Sequence, residues 1–276
     1  MAVNIDLLTQ QYFTFDLPVP YSLKCGKKIY ISPVNIKNSN LFRFSTPVFM
    51  ADKDSIPDPK IIQMSYLQFI SDVLINNNDD FRILLGNLLA LCLNLKSPNL
   101  LKDEMNRPYI YDNNLKISIT PKEFDDIKRI ILHQNLLRYD DEYISPDIKA
   151  MMNRVDKIKH GNVVEPSLER KMAIITAHCG LSKKDQEEYT MRSHQALFNE
   201  CVGEVEFTTT RPVALIFGEK NKFDHWIYKE DKGKYAGYMV SMGEYKKSFG
   251  GANQIITSDI SNSQLNINEL IQNFSK

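Results

Sequence analysis

Apolar residues recur at helical spacing through most of this chain, in short stretches separated by explicit caps and breaks. Ile61, Ile62, Leu67, Ile70, Val73 and Leu74 form one stripe, opened by Asp58-Pro59 and closed by Asn76-Asn77-Asn78. Asp there reads as the N-cap and proline as the first helical residue, the position that needs no amide donor. From Asp79 or Asp80 to Leu95 the chain is apolar on most sides, which predicts a central, buried helix. Tyr109 to Ile119 alternates around Asn113-Asn114, the pattern of a β-hairpin, because Asn tolerates the positive φ of tight turns.

A train of capped helices follows. Thr120-Pro121-Lys122-Glu123 has the form of a capping box and leads into Phe124, Ile127, Ile131 and Gln134 on one face. Ser145-Pro146-Asp147 opens a helix bearing Ile148, Met151, Met152, Val155 and Ile158. Ser167 caps Leu168–Cys179, which Gly180 closes; Ser182 with Asp185 starts a short acidic helix, and Thr190 starts Met191–Cys201, ended by Gly203.

The remainder reads as less regular. The first fifty residues look extended and irregular, Phe15 to Tyr21 being too rich in proline for a helix. Lys28 to Val34 has the look of a short strand, and Asn35 to Thr46 fits a helix or a second strand. Val205–Thr210 and Val213–Phe217 resemble strands, a second hairpin turning at Arg211-Pro212. Asn221–Tyr228 holds the single tryptophan, Trp226. Beyond Phe249-Gly250-Gly251 the chain is polar, with a weak amphipathic helix through Leu265, Ile267, Leu270, Ile271 and Phe274. The fold class is therefore α+β, mainly helical, with short N-terminal β elements and a hairpin. Its expected parts are a mixed α/β N-terminal part over 1–160, a helical C-terminal part over 161–250 with a β-hairpin, and a polar tail over 251–276; one domain plus tail fits as well.

Composition narrows the function classes. The chain has 276 residues, 43% hydrophobic and 25% charged, ordinary for a globular protein with a real core. Lys plus Arg and Asp plus Glu are both 34, and this balance counts against a dedicated nucleic-acid binder. Cys25, Cys92, Cys179 and Cys201 are scattered without a CxxC pair, which points to reduced thiols in a cytoplasmic setting. The apolar run Phe81–Leu95 falls short of the about 20 residues of a bilayer span.

His178-Cys179, His194 and Cys201 are the best candidates for a metal or thiol site, yet none has the close ligand spacing of zinc sites. The neighbouring pairs Asp125-Asp126, Asp140-Asp141 and Glu187-Glu188 would point different ways on a helix and make poor two-carboxylate sites, and Asp125-Asp126 and Glu187-Glu188 lie in or near first turns, where negative charge suits the helix dipole. Gly218-Glu219-Lys220 and Gly250-Gly251 lack the spacing of a phosphate loop. Lys24, Lys27 and Lys28, and Lys229–Lys234 with Tyr228 and Tyr235, are candidate phosphate contacts. No catalytic, cofactor-binding or metal residue is assigned.

Leu17-Pro-Val-Pro-Tyr21, Lys28-Ile-Tyr-Ile-Ser-Pro-Val34, Ser55-Ile-Pro-Asp-Pro-Lys-Ile-Ile-Gln-Met-Ser-Tyr-Leu67 and Thr120 to Asn135 together resemble tail-morphogenesis proteins of tailed phages, including the tail assembly chaperone and baseplate hub subunit families. Leu168 to Ser182 and Thr190 to Phe198 are similar to the helical region of those chaperones. The resemblance spans 12–230 as a pattern and carries no catalytic residue. It implies a non-enzymatic protein that binds other tail or baseplate proteins (tape measure or hub), self-associates, and works in the host cytoplasm during assembly or in the virion tail. It implies no cofactor and no membrane. The alternatives from the residues are a nucleic-acid-binding accessory protein and, further off, a Cys/His metal- or thiol-dependent enzyme.

Overall fold

A computed structural model describes residues 3–53, 56, 58–137, 139, 148, 151, 152, 154, 155 and 165–216, which belong to one unit, Met1–Gly218. Among them the protein is mainly helical, with antiparallel sheets of two and three strands. The first fifty residues are more regular than their prolines suggest. Asn4 accepts the Leu7 amide and caps α1 (Ile5–Gln11). β1 (Val19–Ser22) pairs antiparallel with β2 (Lys28–Ile31), Val19 opposite Ile31. Pro20 is tolerated because a two-stranded ribbon has only edge strands. Asn35 to Thr46 is helical: a 3-10 turn, Ile36–Asn38, then α2 (Ser39–Ser45), with α3 (Pro47–Met50) after it.

The stripe from Ile61 to Leu74 is broken where one helix was expected. Asp58 caps α4 (Pro59–Gln63), and Ser65 then accepts the Gln68 amide and restarts the chain as α5 (Tyr66–Phe69), which runs into a π-helical turn, Ile70–Ile75. α6 (Asp80–Leu93) is the central helix anticipated, burying Leu85, Leu88, Leu89, Cys92 and Leu93. Asn94 ends it at φ 54°, a left-handed geometry that Asn tolerates.

The Asn113-Asn114 hairpin forms between β4 (Pro108–Asp112) and β5 (Ile117–Ile119), and an unanticipated strand, β3 (Pro98–Lys102), extends it to order β3-β4-β5. Wholly buried Asp112 accepts the amides of Ser97 and Leu115 and so ties the start of β3 to the β4–β5 turn. In α7 (Pro121–Asn135) the Thr120–Glu123 box closes as read. Glu123 also accepts the Lys24 amide at 2.5 Å, tying the β1–β2 turn to the helix start. Burial alone would raise the Glu123 carboxyl, but the Thr120 hydroxyl and the amides of Lys24 and Thr120 hold it below its ordinary range.

The last helices are α8 (Leu168–Cys179), capped by Ser167 and closed by Gly180 at φ 69°; α9 (Lys183–Glu187), with the Ser182–Asp185 box; and α10 (Met191–Ile216). α10 corrects the sequence reading. Neither Gly203 nor Pro212 stops it, and 205–210 and 213–216 are helix, not a hairpin. Propagating a nucleated helix costs little per residue, so the packed first half carries the weak formers after it. Thr208 and Thr209 turn their hydroxyls back onto the carbonyls of Val205 and its neighbours, satisfying themselves without strand pairing.

One core gathers Phe13, Ile31, Phe42, Phe49, Leu67, Phe69, Leu88 and Phe124 with the inner faces of α6 and α7; Ile175, Phe198 and Cys201 form a smaller one. Burial of such faces contributes about 25 cal/mol per Å². Segments before and after residue 160 are joined through backbone: the Ile36 amide donates to the Tyr189 carbonyl at 2.9 Å, and the Met191 amide to that of Val34 at 2.8 Å. The helix start at Ser145-Pro146-Asp147, Trp226 with Asn221–Tyr228, and everything from Phe217 onward, including the amphipathic tail and Lys229–Lys234, lie outside the described residues.

Candidate functional site

α8, α9 and α10 enclose an unusually polar interior. Its centre is Gln186, wholly buried, whose amide nitrogen reaches the Met172 and Leu181 carbonyls and the Thr176 hydroxyl. That orients its oxygen to His194, whose Nε2 lies 3.1 Å away and therefore donates. Burial first, then the charges of Lys171 and Arg43, push the His194 imidazole down to about 4, so it is neutral at pH 7. Lys171 is only 1% exposed. Its ammonium donates to Glu165 at 2.5 Å and to Gln195 at 2.7 Å, and sits 5.6 Å from the Phe198 ring centroid. Lys171 occupies the apolar face of α8 beside Met172 and Ile175, a lysine at a core position that the periodicity of Leu168–Cys179 could have flagged.

Of the four His and Cys candidates, two come together. Cys179 and Cys201 place their sulfurs 3.7 Å apart, Cys201 buried and Cys179 exposed. Burial, then the Cys179 contact, pushes the Cys201 thiol up to about 11. His194 is committed to Gln186, and His178 is exposed on the last turn of α8. Among the described residues no three His, Cys, Asp or Glu side chains gather to hold a metal ion.

The acidic pairs separate as helix geometry requires. Asp126 accepts the Tyr21 hydroxyl at 2.9 Å, Glu188 pairs with Lys37 at 3.0 Å on the surface, and Asp140-Asp141 lies outside the described residues. Lys24 contributes a backbone amide to Glu123, and Lys27 caps the carbonyls of Leu115 and Lys116. The Lys28 ammonium lies 5.9 Å from the Tyr30 ring centroid, and the two line, with Lys96 and Asn94, a groove of about 610 Å³.

Among the described residues, an exposed apolar face runs along the distal half of α10. At 100° per residue, Met191, Phe198, Val202, Val205, Val213 and Ile216 fall within one narrow sector of the helix. Met191 and Phe198 are buried, whereas Val202, Val205, Val213 and Ile216 are 42%, 39%, 51% and 79% exposed. Among the described residues the packed face thus continues as an exposed one for about 20 Å, taking 1.5 Å per residue. Ile148 and Met151, the described apolar residues at the start of the 148–158 stripe, are exposed too. Among the described residues no helix is long and apolar enough to cross a membrane. Comparison of the chain with protein-family models, curated proteins and solved structures finds no match.

Proposed function

We propose that this is a non-enzymatic protein that acts through protein–protein contacts made along the uncovered face of α10. The observation that carries the reading is the valine–isoleucine face from Val202 to Ile216, continuous with a buried face and exposed on this chain. Helices in water draw most of their stability from packing, and this segment, with Thr208, Thr209, Thr210 and Pro212, is a poor helix former by itself. A partner helix laid on that face would supply the missing cover.

The partners we assign are other tail or baseplate proteins of a phage, tape measure or hub subunits or a second copy of this chain, met in the host cytoplasm during assembly or in the virion tail. That assignment is supported by the sequence resemblance alone, and it leaves both a tail assembly chaperone and a structural subunit in view. The test is light scattering after size exclusion, on the chain alone and mixed with the products of its neighbouring genes, beside a Val205→Glu/Val213→Glu variant. A defined oligomer or heteromer lost in the variant supports the reading; a monomer that binds none of them overturns it.

A second reading, a nucleic-acid-binding accessory role, draws on Lys28, Lys96 and Tyr30 around the 610 Å³ groove. It requires affinity for single strands that falls steeply with salt and is lost in Lys28→Ala/Lys96→Ala.

A further inference from the structure

We propose that Cys179 and Cys201 are a redox-active dithiol: the exposed Cys179 exchanges with a low-molecular-weight disulfide of the glutathione class, and the buried Cys201 then closes a disulfide between α8 and α10. The sulfurs are already 3.7 Å apart. A disulfide needs about 2.05 Å, leaving each sulfur about 0.8 Å to travel. Helix α8 can give that distance at its last turn, because Cys179 is its final residue and Gly180 follows in a left-handed conformation.

The two thiols have unlike environments, as stepwise exchange requires. Cys179 is open to solvent and reagent, while Cys201 is 4% exposed and reachable only by its neighbour. In the first step the Cys179 thiolate attacks one sulfur of oxidised glutathione, and one glutathione leaves as thiolate. In the second, deprotonated Cys201 attacks the Cys179 sulfur of the mixed disulfide and expels the other glutathione. Two protein thiols are oxidised, one reagent disulfide is reduced to two thiols, and the protons of the protein thiols end on the released glutathiones.

The bond would fall one residue before Val202, where α10 leaves its packing. Oxidation therefore clamps the root of the exposed helix to α8 without touching its apolar face. Cys25, between β1 and β2, and Cys92, wholly buried in α6, are internal controls.

The test treats the full folded chain with oxidised glutathione, alkylates remaining thiols and maps tryptic peptides; cleavage after Lys183, Lys184 and Arg192 separates the two cysteines. The expected result is a Cys179–Cys201 cross-linked peptide pair and an intact chain lighter by two hydrogen atoms. Cys25→Ser retains the link, and Cys179→Ser or Cys201→Ala abolishes it. Cys179 stopping at a stable mixed disulfide, pairing instead with Cys25, or staying reduced would overturn the proposal, and the wild-type map decides this even if a Cys201 variant fails to fold.

Discussion

The carboxylate of Asp16 accepts the Thr190 hydroxyl at 2.6 Å and the Ser193 hydroxyl at 2.7 Å, joining positions 174 residues apart in sequence. Asp16 sits at φ 56° at the end of a 3-10 turn, Phe13–Phe15, so its backbone is bent to present that carboxylate. Thr190 also accepts the Ser193 amide, which makes the cluster the N-cap of α10, where negative charge is favoured. Asp16→Ala should cost about 1.5–3 kcal/mol, the range for hydrogen bonds to a charged group. Asp16→Asn, which keeps an acceptor and tolerates the left-handed backbone, should cost less. Urea unfolding of both variants checks the order, and equal losses would refute it.

His194 makes stability depend on pH in a defined window. Its folded value, about 4, lies below the 6.5 of an unperturbed imidazole, so the unfolded chain binds the extra proton between those values. This contribution is fully present above pH 6.5 and is lost as pH falls toward 4, by up to about 3 kcal/mol. His194→Gln, which keeps a donor for Gln186 without the titration, should flatten the urea midpoint across that window. A midpoint that still falls as steeply would assign the dependence to other groups.

Lys171 differs from an ordinary buried charge because its carboxylate partner is mostly in water, the Glu165 side chain being 72% exposed. Lys171→Met leaves no stranded ion, only an unmatched Gln195 oxygen, and should cost about 1–2 kcal/mol. Lys171→Ala adds a cavity and should cost roughly twice that. Removing the ammonium should also raise the His194 value, since Lys171 is one of the charges holding it down. A proton NMR titration of the methionine variant reads that directly; an unmoved His194 resonance would contradict the coupling.

Pro212 deprives the Thr208 carbonyl of its i+4 amide donor in an exposed helix. Proline in a helix interior is about 3 kcal/mol less favourable than alanine. Pro212→Ala should therefore increase far-ultraviolet helical ellipticity and slow amide exchange over 205–216. No change in exchange would mean the segment is not helical in solution.

Much of the chemistry in which a side chain acts on its own backbone was legible in the sequence, although the caps at Asn4 and Ser65 were not. Asp58, Ser167, Ser182 with Asp185, and Thr120 with Glu123 all cap as their spacing implies; the hairpin forms too, but its turn spans 113–116 and its left-handed residue is Lys116 at φ 50°, not Asn113 or Asn114. What escaped depends on neighbours far along the chain. Pro98-Asn99-Leu100-Leu101-Lys102 has no strand alternation and becomes β3 by pairing with β4. Val205 to Ile216 has strand-like composition yet continues a helix nucleated upstream. At the thiol site the pairing of Cys179 with Cys201 follows from α8 and α10 lying alongside one another, Lys171 by Gln195 and Cys179 by Cys201, which spacing alone does not specify.

The short antiparallel bridge between Asn35 and Thr190 has a bearing on how the chain is made. The groups that satisfy the Ile36 amide and the Val34 carbonyl are synthesised more than 150 residues later. At about 5–20 residues per second the ribosome leaves the N-terminal segment incomplete for roughly ten to thirty seconds. Throughout that interval the sequence around Val34 and Ile36, both destined for the core, is exposed to whatever the cell offers. The nascent chain should therefore be most vulnerable to proteases and holdase chaperones until Thr190 has cleared the exit tunnel, with closure of the unit a late event of synthesis.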